Sequence, residues 1–316
     1  MQAENAERLP MPTINDEDSP RSAVVTSHTA RIRRAQNDPL IVRWGLTALA
    51  LATVGLLVIV PVVHVFTQAF GAGVAEYVRS LVSDPDTRHS IFLTLVIAPV
   101  AVALNVVFGV MAAWLIARFR FPGRLLLTSL IDLPFSVSPV VAGLFFVLLF
   151  GLQGAFGDWL RAHGYQILFA PPALLLVTAF VTIPFVAREL IPVLEAIGPE
   201  EDLAALSLGA TGWQMFWRVT FPNMRWGLIY GVILCNARAM GEFGAIYVVS
   251  GHITGQTDTM PLRVEKLFQE YNSPASFAVA SLLTMLALVT LAIKVFVERR
   301  SHQTVASPVE ISRGEP

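Results

Sequence analysis

The chain alternates between long apolar stretches and short polar ones, a pattern typical of proteins that cross a membrane several times. Six apolar segments can be distinguished, at about residues 44–70, 90–117, 125–150, 168–187, 226–250 and 275–297. Each reaches the ~20 residues that a helix needs to cross the hydrocarbon core of a bilayer. The pattern predicts an all-α integral membrane protein with six transmembrane helices.

Prolines punctuate these segments and predict kinks, because neighbouring membrane helices can satisfy the carbonyls that a proline leaves free. They are Pro61, Pro99, Pro134, Pro139, Pro171, Pro172 and Pro184. The stretch "SVSPVVAG" (136–143) adds small residues to such a kink. Its serines, Ser136 and Ser138, suit either close helix packing or the wall of a translocation path, and both interpretations stay open.

Composition supports a membrane protein and excludes several kinds of site. Of the 316 residues 54% are hydrophobic and only 14% are charged, with a mean hydropathy of +0.62. Soluble domains carry about 25% charged residues. The single cysteine, Cys235, excludes an intrachain disulfide and is interpreted as a small buried side chain. No metal site is predicted, because none of the six histidines lies three to five residues from another.

The distribution of polar residues divides the chain into four predicted regions. Residues 1–40 are polar and are predicted to form a disordered cytoplasmic tail. A first transmembrane helix over 41–72 follows and is expected to remain as an anchor, since it lacks a convincing cleavage site. Residues 88–298 are predicted to form a core of five transmembrane helices with a loop at 197–224, and residues 299–316 a C-terminal tail.

Lysine and arginine predict the orientation. If the N-terminus is inside, sixteen of these cations fall on the inner side, five fall on the outer side, and Arg238 lies within the fifth segment. Short loops rich in Lys and Arg stay in the cytoplasm. We therefore expect both termini, and the loop between the fourth and fifth segments, to be cytoplasmic.

Sequence motifs give no indication of an energy source or a catalytic centre within the chain. It contains no G-x-x-x-x-G-K-[ST] phosphate-binding loop and no legible Ser/His/Asp or Cys/His arrangement. A channel filter and the matching halves of many secondary transporters are also not apparent. A non-enzymatic membrane subunit driven by another chain is favoured, with a secondary transporter or a structural scaffold as alternatives.

The loop "DLAALSLGATGWQMFWRVTFP" (202–222) predicts two short helices joined by glycine. Pro199 with two following acids indicates a helix start, and Gly209 a helix end. Thr211 and Gln214 form a capping-box pattern for the second helix, which Pro222 is expected to stop. One side would pack on the membrane bundle and leave the other for a partner. The alternative is an amphipathic connector at the membrane surface.

This loop resembles the "EAA" loop of ABC importer permeases, which docks into a cleft of the ATPase subunit. Ala204-Ala205, three residues, Gly209, nine residues and then "VTFP" reproduce the family spacing. The family glutamate position falls on Leu203, so either a neighbouring acid replaces that glutamate or the contact is apolar. The resemblance assigns ATPase coupling to Glu201, Asp202, Leu203, Ala204, Ala205, Gly209, Ala210, Trp213 and Pro222.

Longer stretches are similar to the sulfate/thiosulfate permeases, and within them to the CysW-type subunit. These are "LPFSVSPVVAGLFFVLLFG" (133–151), "GATGWQMFWRVTFPNMRWGLIYGV" (209–232), "NARAMGEFGAIYVVSGHITGQTDTMPL" (236–262) and "EYN" (270–272). The resemblance implies the type I importer fold with a cytoplasmic coupling helix, in the bacterial inner membrane. It also implies a heterodimer with a T-type permease, two ATPase subunits that hold ATP and Mg, and an extracytoplasmic sulfate- or thiosulfate-binding protein. No cofactor on this chain is implied, and molybdate or tungstate import is the nearest alternative.

Arg238 is the ionisable residue that most needs an explanation. It lies about twelve residues into the fifth apolar segment, near mid-bilayer at 1.5 Å per residue, where an ionisable group is costly. Glu242 follows one turn later, and Asp132 lies in the third segment. Two hypotheses stay open: an internal ion pair of Arg238 with one of these acids, or an Arg238 that faces the path and attracts a dianion.

The segment 251–272 is predicted to lie outside the membrane, with Pro261 opening a short helix over "PLRVEKLFQEY". The apolar side of this helix would serve either as a plain cap or as a contact for the binding protein or the partner permease.

Overall fold

The computed structural model describes residues 40–305, with side chains from 42 to 298. The predicted N-terminal tail, except for residue 40, and most of the C-terminal tail lie outside this part. Every regular element within it is a helix, which confirms the all-α class for the described residues. The elements are α1 (Leu40–Gly71), α2 (Val74–Val82), α3 (Pro85–Arg118), α4 (Arg124–Ser136), α5 (Pro139–Phe150), α6 (Gly157–Ala162), α7 (Pro171–Ile197), α8 (Glu200–Ser207), α9 (Gly212–Met215), a π-helical turn (Phe216–Thr220), α10 (Phe221–Met240), α11 (Gly244–Ser250), α12 (Met260–Gln269) and α13 (Ser273–Val305).

Four helices, α1, α3, α7 and α13, are long and apolar enough to cross a membrane. Two further pairs meet the same criterion only when taken together. One is α4 with α5, bent by 110°, and the other is the continuous helical path Gly212–Met240 (α9, the π-helical turn and α10) with α11, bent by 52°. By length and composition, the described part therefore has six candidate spans if each bent pair is one span, and four if neither is. The fourth segment also extends beyond its predicted end at residue 187, because α7 accommodates Pro184 and Pro192 and continues to Ile197.

The chain divides after Pro61 into two units. In the first unit, the described residues belong to α1, whose side chains there are almost all exposed. The second unit contains a core in which α3, α7 and α10 pack together around Val186, Leu190, Leu194 and Met224, all fully buried.

Side-chain hydrogen bonds and close packing at small residues hold α3, α7 and α10 together in this core. The Asn105 side chain in α3 donates to the Ala179 carbonyl at 3.0 Å and to Thr182 Oγ1 at 2.8 Å in α7. One turn further along α3, Gly109 lies so close to Val186 that an added Cβ would stand 2.8 Å from the valine Cβ. Cys235 of α10 is fully buried beside Asn105, as predicted for a small packed side chain.

Asp84 lies directly before α3 and joins this helix to α12. Its carboxylate accepts from the Asp86 and Thr87 amides and thereby caps α3, and it accepts from Arg263 Nη2 of α12 at 2.6 Å. Burial raises the pKa of Asp84, but hydrogen bonds from Thr87 and Arg263 outweigh burial, so the pKa is lowered overall. The short helix predicted after residue 260 is confirmed as α12, with Leu262 and Leu267 buried and Phe268 exposed.

Candidate functional site: the elbow segment and the bent helices

Residues 199–222, here named the elbow segment, form the helix–glycine–helix unit that the sequence predicts. Helix α8 ends at Ser207, and Gly209 adopts a left-handed conformation with φ of 86°. The Gly209 amide donates to Leu206 and the Ala210 amide donates to Ala205, which is the Schellman pattern that satisfies the last carbonyls of a helix. Gly209 therefore terminates α8 and turns the chain towards α9.

The second half of the elbow segment begins as predicted but does not end as predicted. Thr211 Oγ1 accepts from the Gln214 amide and the Gln214 side chain accepts from the Thr211 amide, which completes the capping box. The prediction that Pro222 stops the second helix is wrong, because α9 passes through the π-helical turn directly into α10. Pro222 lies in the first turn of α10. A proline ring clashes with the carbonyl four residues earlier in a regular helix, and the π-helical turn Phe216–Thr220 directly before α10 interrupts that regular geometry.

The elbow segment turns an apolar face outward. Leu203, Leu208 and Trp213 are 57%, 89% and 71% exposed, and Leu206 and Trp217 are also exposed. Its inward face is anchored by Met215, which is buried, and by Phe216, whose ring meets that of Trp114 in α3 edge to face at 5.5 Å. One side therefore packs on the bundle, while the other carries two tryptophans and three leucines that no side chain between residues 42 and 298 covers.

The acids around Leu203 point in different directions. Asp202 is buried, and its carboxylate accepts from Arg118 Nε at 2.7 Å and from Thr220 Oγ1 at 2.8 Å. Glu201 is exposed and accepts a hydrogen bond from Asn223 at the start of α10. Asp202 is thus engaged inside the chain, and Leu203 occupies the outward position between Asp202 and Ala204.

The predicted ionisable residues of the spans separate into two ion pairs. Arg238 Nη1 lies 2.6 Å from Glu242 Oε2, so Glu242 is its partner. Asp132 is not, because it pairs with Arg188 of α7 at 2.6 Å. Glu242 is 1% exposed and sits in the break between α10 and α11, where its other oxygen accepts from the Ala245 amide and caps α11. The Arg238 side chain is 34% exposed, so it is not sealed within the helices.

The stretch 136–143 contains the 110° bend between α4 and α5, the sharper of the two bends. Ser136 ends α4, Ser138 precedes α5, and both are exposed, with Val137 in an extended conformation between them. Gly143 then packs against α11 so closely that an added Cβ would stand 2.8 Å from the Ala245 carbonyl oxygen. The small residue here serves close packing of the two bent pairs, and the serines stand at the surface of the bend.

A cavity of about 770 Å³ lies elsewhere, between the end of α5, α6 and the segment that leads to α7. Its lining is mainly apolar or glycine, with polar groups from Gln153, Arg161, Tyr165 and Gln166. Arg238, Glu242, Asp132 and the two serines do not line it. This cavity has no signal in the sequence, because it depends on how the loop 151–170 folds back on α5.

Two residues that fix the elbow segment were not singled out from the sequence, Arg118 and Thr220. Arg118 is the last residue of α3, and Thr220 is the last residue of the π-helical turn. Arg118 could have been noticed as the first cation after the second apolar segment, but its partner is 84 residues away. Only the tertiary structure brings the two together.

These features define a class: an α-helical membrane component in which a helix–glycine–helix segment packs one side on the bundle and exposes an apolar face on the other. The chain belongs to the family of binding-protein-dependent transport system inner membrane components, whose model matches residues 105–303. That match includes α7, the elbow segment and both members of the α10–α11 pair.

The relatives confirm the resemblance to the CysW-type permeases. The chain is 51% identical over 258 residues to the sulfate transport system permease protein CysW of Escherichia coli K12, covering 82% of this chain and 88% of the relative. It is also 51% identical to CysW of Synechocystis over 84% of this chain and 96% of that protein. The sulfate transport system permease protein CysT of E. coli K12 is 37% identical, covering 77% and 87% of the two chains.

Solved structures support the fold. A crystal structure of a bacterial ABC transporter involved in the import of the polysaccharide alginate contains a chain with a TM-score of 0.67 and 20% identity, covering 83% of this chain and 97% of that chain. A second structure, of the alginate transporter with an alginate pentasaccharide-bound periplasmic protein, gives the same TM-score at 21% identity over 85% and 98%. At this identity the likeness concerns the fold alone.

Proposed function

We propose that this chain is the membrane-spanning permease subunit of an ATP-driven importer of sulfate or thiosulfate. The observation that carries the proposal is the elbow segment, whose exposed leucines and tryptophans stand where the family spacing places the ATPase contact. Identity of 51% to CysW sulfate permeases over most of the chain supports the choice of anion.

In this proposal the complex has four kinds of subunit. This chain pairs with a T-type permease, and two copies of a separate ATPase hold ATP and Mg. An extracytoplasmic binding protein delivers the anion. The chain itself binds no cofactor and catalyses no reaction, and both of its termini and the elbow segment face the cytoplasm in the inner membrane.

The contact with the ATPase would be mainly apolar. Leu203, Leu208 and Trp213 project from three successive parts of the elbow segment and could enter one cleft together. Full burial of a leucine contributes about 1.5–3 kcal/mol, and tryptophans are enriched among residues that dominate interface energies. An apolar anchor removes the need for the glutamate that Leu203 replaces.

Movement would begin at this anchor. When ATP closes the ATPase dimer, the elbow segment is displaced and carries α10 with it, since the helical path from residue 212 to 240 has no loop in it. The bend at residues 241–243 lies at the far end of α10, beside the Arg238–Glu242 pair. Arg238, partly exposed and partly neutralised by Glu242, would give the path a moderate positive field that attracts a dianion without trapping it.

The decisive test is ATP hydrolysis by the complex reconstituted with both permeases, the ATPase and the binding protein. We expect binding protein loaded with sulfate or thiosulfate to stimulate hydrolysis more than the unloaded protein does. Stimulation by molybdate-loaded protein alone would shift the proposal to molybdate import. Anion uptake that depends on a proton or sodium gradient, with no ATPase in the purified complex, would overturn it.

A further inference from the structure

The Asp202 carboxylate forms a buried junction of four elements. It accepts from Arg118 Nε at the end of α3 and from Thr220 Oγ1 at the end of the π-helical turn. The same Arg118 donates from Nη1 to the Leu194 carbonyl in α7 at 2.7 Å. The side chains of Arg118 and Asp202 are each only 8% exposed. One carboxylate therefore ties α8 to the π turn and, through one guanidinium, to α3 and α7.

Burial makes this pair an unusual way to hold a loop in place. Removing two charges from water costs nearly as much free energy as their attraction returns, and apolar side chains of similar size are often as stabilising. What the ion pair adds is direction, because each hydrogen bond is strong only within a narrow range of distances and angles. A few residues away, Arg124 and Glu195 form a 2.8 Å pair that is about half exposed, and such surface pairs contribute little.

The helix that Arg118 ends is well placed to transmit movement. It packs along α7 at two positions. Asn105 donates hydrogen bonds to α7, and Gly109 approaches α7 so closely that there is no room for a Cβ. The N-terminus of α3 lies beside Asp84, whose carboxylate accepts a hydrogen bond from Arg263 Nη2 of α12 at 2.6 Å. Tightly packed helices shift as units, so a displacement applied at Arg118 reaches both α7 and α12.

We propose that Asp202 is a positioning residue for coupling, which makes the elbow segment and α3 move as one body. The inference rests on the proposed function, since it concerns how displacement of the elbow segment by the ATPase reaches the spans. It assigns the acid beside Leu203 to the interior of this chain and leaves the ATPase contact to the exposed apolar face. The elbow segment then acts on two helices at once, on α10 through the π turn and on α3 through Asp202.

The test compares Asp202→Asn, Arg118→Gln and the double variant in the complete reconstituted complex, with Glu195→Gln as the control from the exposed pair. The measurement is the ratio of ATP hydrolysis with sulfate-loaded binding protein to hydrolysis without it. We expect each single substitution to lower this stimulation ratio at least tenfold, while the ATPase still co-purifies with the permeases. The double variant should be no worse than the worse single variant, and Glu195→Gln should stay within twofold of wild type.

A readout of docking separates coupling from simple loss of contact. Leu208→Cys on the elbow segment, crosslinked to a cysteine in the ATPase cleft, should form the crosslink equally well with and without Asp202→Asn. Stimulation within twofold of wild type in Asp202→Asn, additive losses in the double variant, or loss of the crosslink would each overturn the proposal. A wild-type complex without stimulation would instead count against the proposed function.

Milder variants cover the case in which Asp202→Asn does not assemble. Thr220→Val removes one hydrogen bond to Asp202, and Arg118→Lys keeps the charge but loses the simultaneous contacts to Asp202 and Leu194. We expect both to assemble and to lower the stimulation ratio by threefold or more, with Arg118→Lys affected more strongly. Unchanged ratios in both variants would overturn the proposal.

Discussion

Gly209 is the residue that determines the shape of the elbow segment. Its φ of 86° lies in the region that costs a residue with a side chain about 1–2 kcal/mol, yet an added Cβ would meet no atom within 4 Å. Gly209→Ala should therefore act through backbone strain alone. We expect the variant to assemble with reduced transport, measured as sulfate uptake in cells that depend on this importer.

The chain offers a matched control for this substitution at Gly212. An added Cβ there also meets no atom within 4 Å, but Gly212 begins α9 without a left-handed φ. Gly212→Ala should leave uptake unchanged. Equal effects at the two positions would contradict the assignment of the Gly209 effect to its conformation.

A test of Arg238 can separate its ion pair with Glu242 from its proposed attraction of the anion. Arg238→Ala leaves Glu242 buried without its partner, and breaking a buried pair costs roughly 3–5 kcal/mol, less here because Arg238 is partly exposed. The double variant Arg238→Met with Glu242→Gln removes both charges and keeps a cap for α11. We expect it to recover the thermal stability of the purified complex in detergent, but not sulfate uptake.

Recovery of uptake in the double variant would show that the pair serves packing only. Asp132→Asn provides the comparison, because Asp132 pairs with the half-exposed Arg188 instead of Arg238. Its uptake should stay near that of wild type if Arg238 is the residue that attracts the anion.

At the scale of elements, hydropathy predicts where helices cross but not how they bend. The six apolar segments correspond to four continuous helices and two bent pairs, and prolines flank the sharper bend, between α4 and α5. The elbow segment was also predictable, since Gly209 and the Thr211–Gln214 box are local signals. The prediction that Pro222 ends the second helix was wrong because a proline is equally compatible with a helix end and with the first turn of the next helix.

Residues that act over long sequence distances could not be predicted in the same way. Arg118 meets Asp202, and Arg188 rather than Arg238 meets Asp132, through the packing of α3 and α4 on α7 and the elbow segment. Neither pairing has a periodic or motif signal, because each depends on the rotation of two helices about their axes. The same holds for the close approach of Gly109 to Val186.

That close approach gives a prediction about helix packing. In Gly109→Ala the new Cβ would stand 2.8 Å from Val186 and 3.1 Å from the Ala187 nitrogen, so α3 and α7 must separate. Overpacking of this kind costs typically 1–3 kcal/mol. We expect a lower melting temperature of the purified complex, measured in detergent, and a partial recovery when Val186→Ala is added.

Gly45 in α1 is the control, because an added Cβ there meets nothing within 4 Å. Alanine is the better helix former by up to ~1 kcal/mol, so Gly45→Ala should not lower the melting temperature. A fall as large as that of Gly109→Ala would contradict the packing argument.

At the scale of the whole molecule, the elbow segment and the α12 region must lie on opposite sides of the membrane if the bent pairs are each one span. Helix α3 begins beside Arg263 of α12 and ends at Arg118 beside Asp202, and its 34 residues suffice to cross a bilayer. Under the proposed function, displacement of the elbow segment would then have a continuous route across the membrane along α3. The excess of Lys and Arg near the elbow segment predicts that this side is the cytoplasm.

Cysteine labelling tests this orientation with little background, because the native cysteine, Cys235, is fully buried. Leu208 and Tyr271 are 89% and 94% exposed, the first on the elbow segment and the second just after α12. In cells that express the chain without the ATPase, a membrane-impermeant maleimide should label Tyr271→Cys in intact cells. Leu208→Cys should react only after permeabilisation. The reverse pattern would invert the topology, and labelling of both in intact cells would mean that the α10–α11 pair is not one span.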